Sequence, residues 1–176
     1  MRTVEIVTYR EEWPVLFQEA ATQIFSIFGD ELIDIHHMGS TSIKGLAAKP
    51  IIDMMPVVKN INDADNYHPQ MKSAGYEPLG EFGIPGSRYF RRGGDKRTHH
   101  VHIFEQGDLA ITRHLAFCDY LRSHPEKADS YGALKLELAA RFPFDIESYI
   151  EGKEPFIIEE EKKALNWYLR KEEKYR

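Results

Sequence analysis

Trp13, Phe17, Ala20, Ile24 and Phe28 recur at helical spacing, with Pro14 suited to a first turn and Gly29 to a stop. Before them, the apolar positions of "VEIV" (4–7) predict a short strand. After them, "LIDIHHM" (32–38) reads as a strand running into Gly39. "PIIDMMPVV" (50–58) reads as a second strand, in which Pro56 implies a bulge or a sheet edge. "INDADNYHPQMKSAG" has a helical pattern that closes at Gly75, with Pro69 as a kink or late start. "YEPLGE" and "SRYFRR" predict strands on either side of the loop "FGIPG". "RTHHVHIFE" (97–105) alternates cleanly, as a half-buried strand does.

From Gly107 the period changes to that of helices. Ile111, Leu115, Cys118 and Leu121 share one stripe, with His114 and Phe117 beside it. Ser123 and Pro125 suit a cap and an early turn, opening a helix that carries Tyr131, Leu134, Leu138 and Phe142. Asp145 can cap a short helix to Gly152, and a charged helix is expected from about Pro155 onward. Strands and helices mixed over residues 1–106, then helices over 107–176, predict a single α+β domain. The helical half is expected to cover one side of the sheet, with His114 and Lys135 as its polar contributors to a cleft.

Composition narrows the functional classes. The 176 residues are 42% hydrophobic and 29% charged, ordinary values for one soluble domain. A net charge of −5 argues against general nucleic-acid or membrane-surface binding, so any phosphate site must be a local basic patch. Cys118 is the single cysteine, which excludes a disulfide framework and a cysteine zinc site. Neither a signal-peptide pattern nor a membrane-length apolar run is present, and a cytoplasmic protein is expected.

Four groups of residues carry candidate chemistry. Gly39-Ser40-Thr41-Ser42 follows a strand, where backbone N–H groups and hydroxyls can hold an anion with Lys44 and Lys49 nearby; a plain helix cap is the alternative. Asp53 is a lone carboxylate within an apolar strand, on a face with Ile51, Met55 and Val57. A dry carboxylate is costly, so a cation, a metal or several donors must meet it. In "THHVH" (98–102), His100 and His102 share a face and lie roughly 7 Å apart at Cα, near enough to share a metal or a phosphate. Arg88, Arg91, Arg92, Lys96 and Arg97 form a basic cluster, in which Arg88 is the favoured anion ligand and an exposed hairpin the alternative. Asp53 is expected to face His100 or His102 across neighbouring strands, at the floor of a pocket under Gly39–Thr41.

The segments "HMGSTSIKGLAAKPIID", "GEFGIPGSRYFRR", "THHVHIFE" and "RHLAFCDYLRSHPE" occur in one order in the GrpB family. The chain resembles that family over nearly its whole length, from "REEWPVLF" to "KEPFI". The family looks like a branch of the nucleotidyltransferase superfamily, and related domains are fused to dephospho-coenzyme-A kinase. The resemblance implies a nucleotidyltransferase-like mixed sheet with flanking helices. It also implies a ligand that is a nucleotide or another small phosphorylated compound, and a divalent metal, Mg²⁺ or a transition metal. Ser40 and Thr41 would hold phosphate oxygens, Asp53 a metal, and His100 or His102 would ligate or act as base. Lys49 and Arg88 would neutralise charge, in metal-assisted phosphoryl or nucleotidyl transfer. The superfamily's acidic pair is incomplete here, since Ile51 and Met55 flank Asp53 at two residues' distance. A non-catalytic ligand-binding or accessory domain related to coenzyme A is therefore the alternative, and a partner-binding protein using the C-terminal helices a third reading.

Overall fold

The computed structural model describes residues 2–175. Helix α1 (Trp13–Phe28) is followed by strands β1 (Leu32–Met38) and β2 (Ile52–Val58). The short helices α2 (Ile61–Ala64) and α3 (His68–Ser73) lead to β3 (Glu77–Pro78), β4 (Ser87–Arg92) and β5 (His99–Glu105). Three helices finish the chain: α4 (Leu109–Ser123), α5 (Pro125–Arg141) and α6 (Ile146–Glu173). The strands make one sheet in the order β1-β2-β5-β4-β3. Only β2 and β5 pair in parallel; every other neighbour is antiparallel. The α+β architecture expected from the alternating patterns is the one observed.

Strand alternation sorts the sheet into two faces. Ile52, Met54, Val58, Val101 and Ile103 pack under Trp13, Phe17, Ile24 and Phe28 of α1. Fully burying a side chain of this size contributes about 1.5–3 kcal/mol, so this face anchors the sheet. On the other face, Met38, Met55 and Phe104 meet Cys118 of α4, with Ile111 and Leu115 packed alongside. A third cluster fastens Ile43 and Leu46, from the loop between β1 and β2, to Tyr120, Leu121, Tyr131 and Ala164 of the helices. The helical half therefore covers one side of the sheet.

Several expectations are corrected. Residues 4–7 form no strand: Val7 makes a single bridge to Ala48, and the Val4 N–H donates instead to Pro143 O at 2.9 Å. Pro56 lies inside a strand with neighbours on both sides, and the irregular step falls instead between Leu32 and Asp34 of β1. The pairing of β2 with β5 stops at Met54 and resumes at Val57, a gap spanning the residue that has no N–H to donate. The pattern over 61–75 breaks into short pieces, with Pro69 in the first turn of α3. Ser123 ends α4, and His124 occupies the cap position of α5.

The helix expected to stop at Gly152 runs on through Pro155 as part of α6. Proline removes one helical hydrogen bond, but packing on both sides of it holds the helix straight through. Tyr149 is buried with Leu138, while Phe156 stacks on Tyr131 at 5.1 Å and Ala164 is fully buried. Gly152 permits this approach, since a Cβ there would meet Leu138 Cδ2 at 2.5 Å.

Glu160 ties α6 to α5. It is 3% exposed, and its Oε1 accepts hydrogen bonds from Lys127 (3.2 Å) and Lys163 (3.3 Å). Burial pushes its carboxyl up, but the two ammonium groups outweigh burial and hold it below the ordinary value of 4.5. A depressed carboxyl adds stability above its unfolded-state value and loses it as pH falls through the folded one. Glu160→Gln is expected to cost about 1–2 kcal/mol at pH 7, discounted for the partly exposed lysines. In urea unfolding the gap between wild type and variant should narrow as the pH falls below the ordinary carboxyl value of 4.5. A gap that is flat from pH 7 to pH 3 would remove the ion pair from this account.

Candidate functional site

β1 hands the chain to the site at Gly39, whose φ is 71°. That conformation favours glycine, and a Cβ there would come within 2.5 Å of Asp53 Oδ2. Gly39 thus lets the turn lie directly on the carboxylate. Ser40–Ser42 then form one 3₁₀ turn rather than the start of an α-helix. The Ser42 hydroxyl donates to Gly39 O at 2.6 Å, and Arg122 of α4 donates to Ser42 O and Oγ, which fixes the turn from outside. Thr41 is 1% exposed; its hydroxyl shares a 2.9 Å hydrogen bond with His37 Nε2. The His37 ring stacks on Phe17 at 4.7 Å, and burial lowers its pKa to about 4, so it is neutral.

Asp53 sits between Met38 of β1 and His100 of β5 in the sheet register. Its Oδ1 lies 3.3 Å from His100 Nδ1, while His100 Nε2 is buried without a partner. His102 follows two residues along the same strand face, and burial lowers its pKa. Tyr89 of β4 walls both rings, 5.7 Å from His100 and 4.8 Å from His102. One donor atom from each of Asp53, His100 and His102 lies within 4.8 Å of the others. Ligands about 2.0–2.2 Å from one ion stand at most about 4.4 Å apart, so small side-chain rotations suffice to close these three on a metal.

Asp53 and His100 border a cavity of about 170 Å³. Ser40, Thr41 and Lys49 complete the sheet-side wall. The helical half adds Lys135 of α5 with Tyr149 and Lys153 of α6, and Arg2 also lines the cavity. Lys135 is 2% exposed, and its Nζ has no hydrogen-bond partner; it rests 4.6 Å over the Tyr131 ring. Lys49 and Lys153 approach the Tyr149 ring at 4.7 and 4.6 Å. Burial, reinforced by Lys153 and Lys49, lowers the pKa of Lys135 to about 7. Burial with Lys153 and Arg2 lowers that of Lys49 to about 8, and burial lowers Lys153 as well. Tyr131 is pushed up to about 12 by burial, against an opposing hydrogen bond with Ser40.

The structure thus gathers Gly39, Ser40, Thr41, Lys49, Asp53, His100 and His102 in one place. Arg88 lies elsewhere. Its Nε donates to Asp65 Oδ1 at 2.8 Å and its Nη2 to Asp65 Oδ2 at 3.2 Å. Its register partner is Ile103, on the α1 side of the sheet, whereas Tyr89 opposite His102 takes the site side. His114 stays outside the cavity, its ring 6.0 Å from that of Phe104. Lys153, Tyr149 and Arg2 escaped the sequence reading; a lysine in a highly charged helix gives no local sign of facing inward. A larger groove of about 590 Å³ runs between the Ser42–Ala47 loop and α4 and α5. Its walls are mostly apolar, and none of Asp53, His100 and His102 reaches it.

The fold is that of nucleotidyltransferase-like proteins. Cid1 poly(U) polymerase in its MgGTP-bound form superposes with a TM-score of 0.52 over 74% of this chain and 43% of its own, at 13% identity. That likeness concerns the fold alone. The chain belongs to the GrpB family, whose match, GrpB protein, spans residues 3–163. The crystal structure of conserved protein GrpB from Enterococcus faecalis superposes with a TM-score of 0.91 at 42% identity, covering 94% of this chain and 99% of that one. UPF0157 protein YqkA of Bacillus subtilis is 52% identical over 94% of the chain, which spans about half (48%) of YqkA's length. Glutamate-rich protein GrpB of Alkalihalophilus pseudofirmus is 36% identical over 89% of this chain and 92% of its own. A dephospho-CoA kinase of Mycolicibacterium paratuberculosis is 28% identical over 93% of this chain and 46% of its own.

Gly39→Ala tests the contact between turn and carboxylate. Positive φ and the Asp53 contact together are expected to destabilise the protein by about 1–3 kcal/mol in denaturant unfolding. Unchanged stability would mean that the turn and Asp53 are not seated on each other.

Proposed function

We propose that this protein binds a nucleotide or another small phosphorylated ligand and supports metal-assisted phosphoryl or nucleotidyl transfer, or hydrolysis, at phosphorus. The observation that carries the reading is the close grouping of Asp53, His100 and His102 beside a cavity lined by cationic side chains. The orphaned His100 Nε2 and two imidazoles suit a divalent ion, with Asp53, His100 and His102 as its ligands. One carboxylate with two imidazoles fits a transition metal better than Mg²⁺, which favours oxygen ligands. Bound there, such an ion supplies Lewis acidity toward a phosphoryl oxygen. Ser40 and Thr41 border the cavity where their turn can hold phosphate oxygens, and Lys49 neutralises charge that develops there. Arg88, committed to Asp65, has no part in this assignment.

The second reading is a non-catalytic ligand-binding or accessory domain related to coenzyme A. It is favoured by Ile51 and Met55, which stand where a second carboxylate would hold a paired ion, and by the likeness to dephospho-CoA kinases. The protein is further proposed to be cytoplasmic and not a general nucleic-acid binder. Among the described residues no helix is long and apolar enough to cross a membrane.

Thermal unfolding with Zn²⁺, Mn²⁺ or Mg²⁺ tests the metal. An ion at a hundred times its dissociation constant is expected to stabilise the wild type by about 2.7 kcal/mol. Asp53→Asn and His102→Gln should each abolish that gain, with Zn²⁺ or Mn²⁺ acting more strongly than Mg²⁺. Equal stabilisation of wild type and Asp53→Asn, or none with any ion, would defeat the metal assignment and leave the accessory reading.

A further inference from the structure

We infer that the cavity seats one terminal phosphate, the doubly charged end of a phosphomonoester or free phosphate, gripped by Lys135 and Lys153 from the helical half and by Lys49 and the Ser40–Thr41 turn from the sheet half. This rests on the reading above that the cavity takes a phosphorylated ligand, and it assigns the chemical class.

Charge comes first. Arg2, Lys49, Lys135 and Lys153 border the cavity, and Asp53 is the only carboxylate among the described residues that line it. Asp53 already faces His100. A buried ammonium without a hydrogen-bond acceptor is costly, and Lys135 Nζ has only the Tyr131 ring beneath it. An anion in the cavity supplies the acceptor that this amine lacks.

Size decides how much of the ligand enters. Pockets that engulf a drug-sized ligand measure about 300–1,000 Å³, whereas this cavity is about 170 Å³. It has room for a phosphate group, and a nucleoside must stay outside. A phosphodiester carries one charge and two organic arms, so it suits neither the charge nor the space. The donors are also of the right kind. Ammonium groups converging from separate elements act as point charges toward the dispersed oxygens of a tetrahedral anion.

The test is isothermal titration of the full chain, metal-free, with inorganic phosphate, adenosine 5′-monophosphate and adenosine 3′,5′-cyclic monophosphate. The two dianions are expected to bind, and the cyclic diester to bind at least tenfold more weakly. Lys153→Met and Lys135→Met should each weaken phosphate at least tenfold while thermal unfolding shows both variants folded. If Lys135→Met fails to fold, Lys153→Met alone decides. Tighter binding of the 5′-monophosphate than of phosphate identifies an ester ligand, and equal binding identifies free phosphate. Equal affinity for monoester and cyclic diester, no effect of Lys153→Met, or no binding of any of the three would overturn the inference. Zn²⁺ uptake measured on the same samples separates the two proposals. Uptake that Asp53→Asn removes, without phosphate binding, overturns this one and leaves the metal site standing, whereas phosphate binding without uptake does the reverse.

Discussion

The site depends on the parallel pairing of β2 with β5, which sets Asp53 opposite His100. Parallel strands need a crossover, and here residues 59–98 make it, carrying α2, α3, β3 and β4. Part of that crossover (Ile61, Ala64, Met71) packs into the α1-side core, so the core that stabilises the sheet also fixes the register. Alternation then sends Asp53, His100 and His102 to the helical side and Ile52, Met54, Val101 and Ile103 to α1. A slip of one residue would exchange the two sets, burying imidazoles under α1 and exposing aliphatic side chains to the cavity.

The sequence made the strands at 32–38 and 52–58 and the histidine strand legible because each is a dense apolar or alternating run. The meeting of Asp53 with His100 was legible too, since a carboxylate in an apolar strand demands a partner and few candidates exist. What was hidden depends on tertiary partners. "VEIV" has a strand's composition, yet no strand lies beside it to complete a ladder. Pro155 ends a helix by local rules, but contacts of Tyr149, Phe156 and Ala164 on either side carry α6 across it. Arg88 and Tyr89 are adjacent in sequence, and only the register with β5 decides which of them turns toward the histidines.

The cationic wall is the part least visible in sequence and most consequential in space. Lys135 and Lys153 come from different helices and meet only because α5 and α6 pack together. The tyrosine rings beneath them offer partial compensation, about 0.5–2 kcal/mol for each cation–π contact. That falls short of the several kcal/mol that an unpaired buried charge costs. Burial moves the pKa values of all three lysines down, and for Lys49 and Lys135 the neighbouring lysines add to it. The helical half is thus more than a cover for the sheet, since it brings charge that the sheet side alone does not have.

Met55 explains why this charge takes the form it does. It is two residues from Asp53 on the same strand face, as Ile51 is on the other side, and it is fully buried with Met38, Phe104 and Cys118. A carboxylate there would be dry beneath α4 and without a cation, so the packing of α4 on this face is incompatible with a second acidic ligand. On β5 the available donors are imidazoles, which carry no negative charge. A two-ion site gathers positive charge from metals and cancels part of it with three carboxylates. Here one carboxylate remains, and lysines on α5, α6 and the segment before β2 line the same cavity. The positive charge bordering the cavity is therefore carried by the protein side chains themselves.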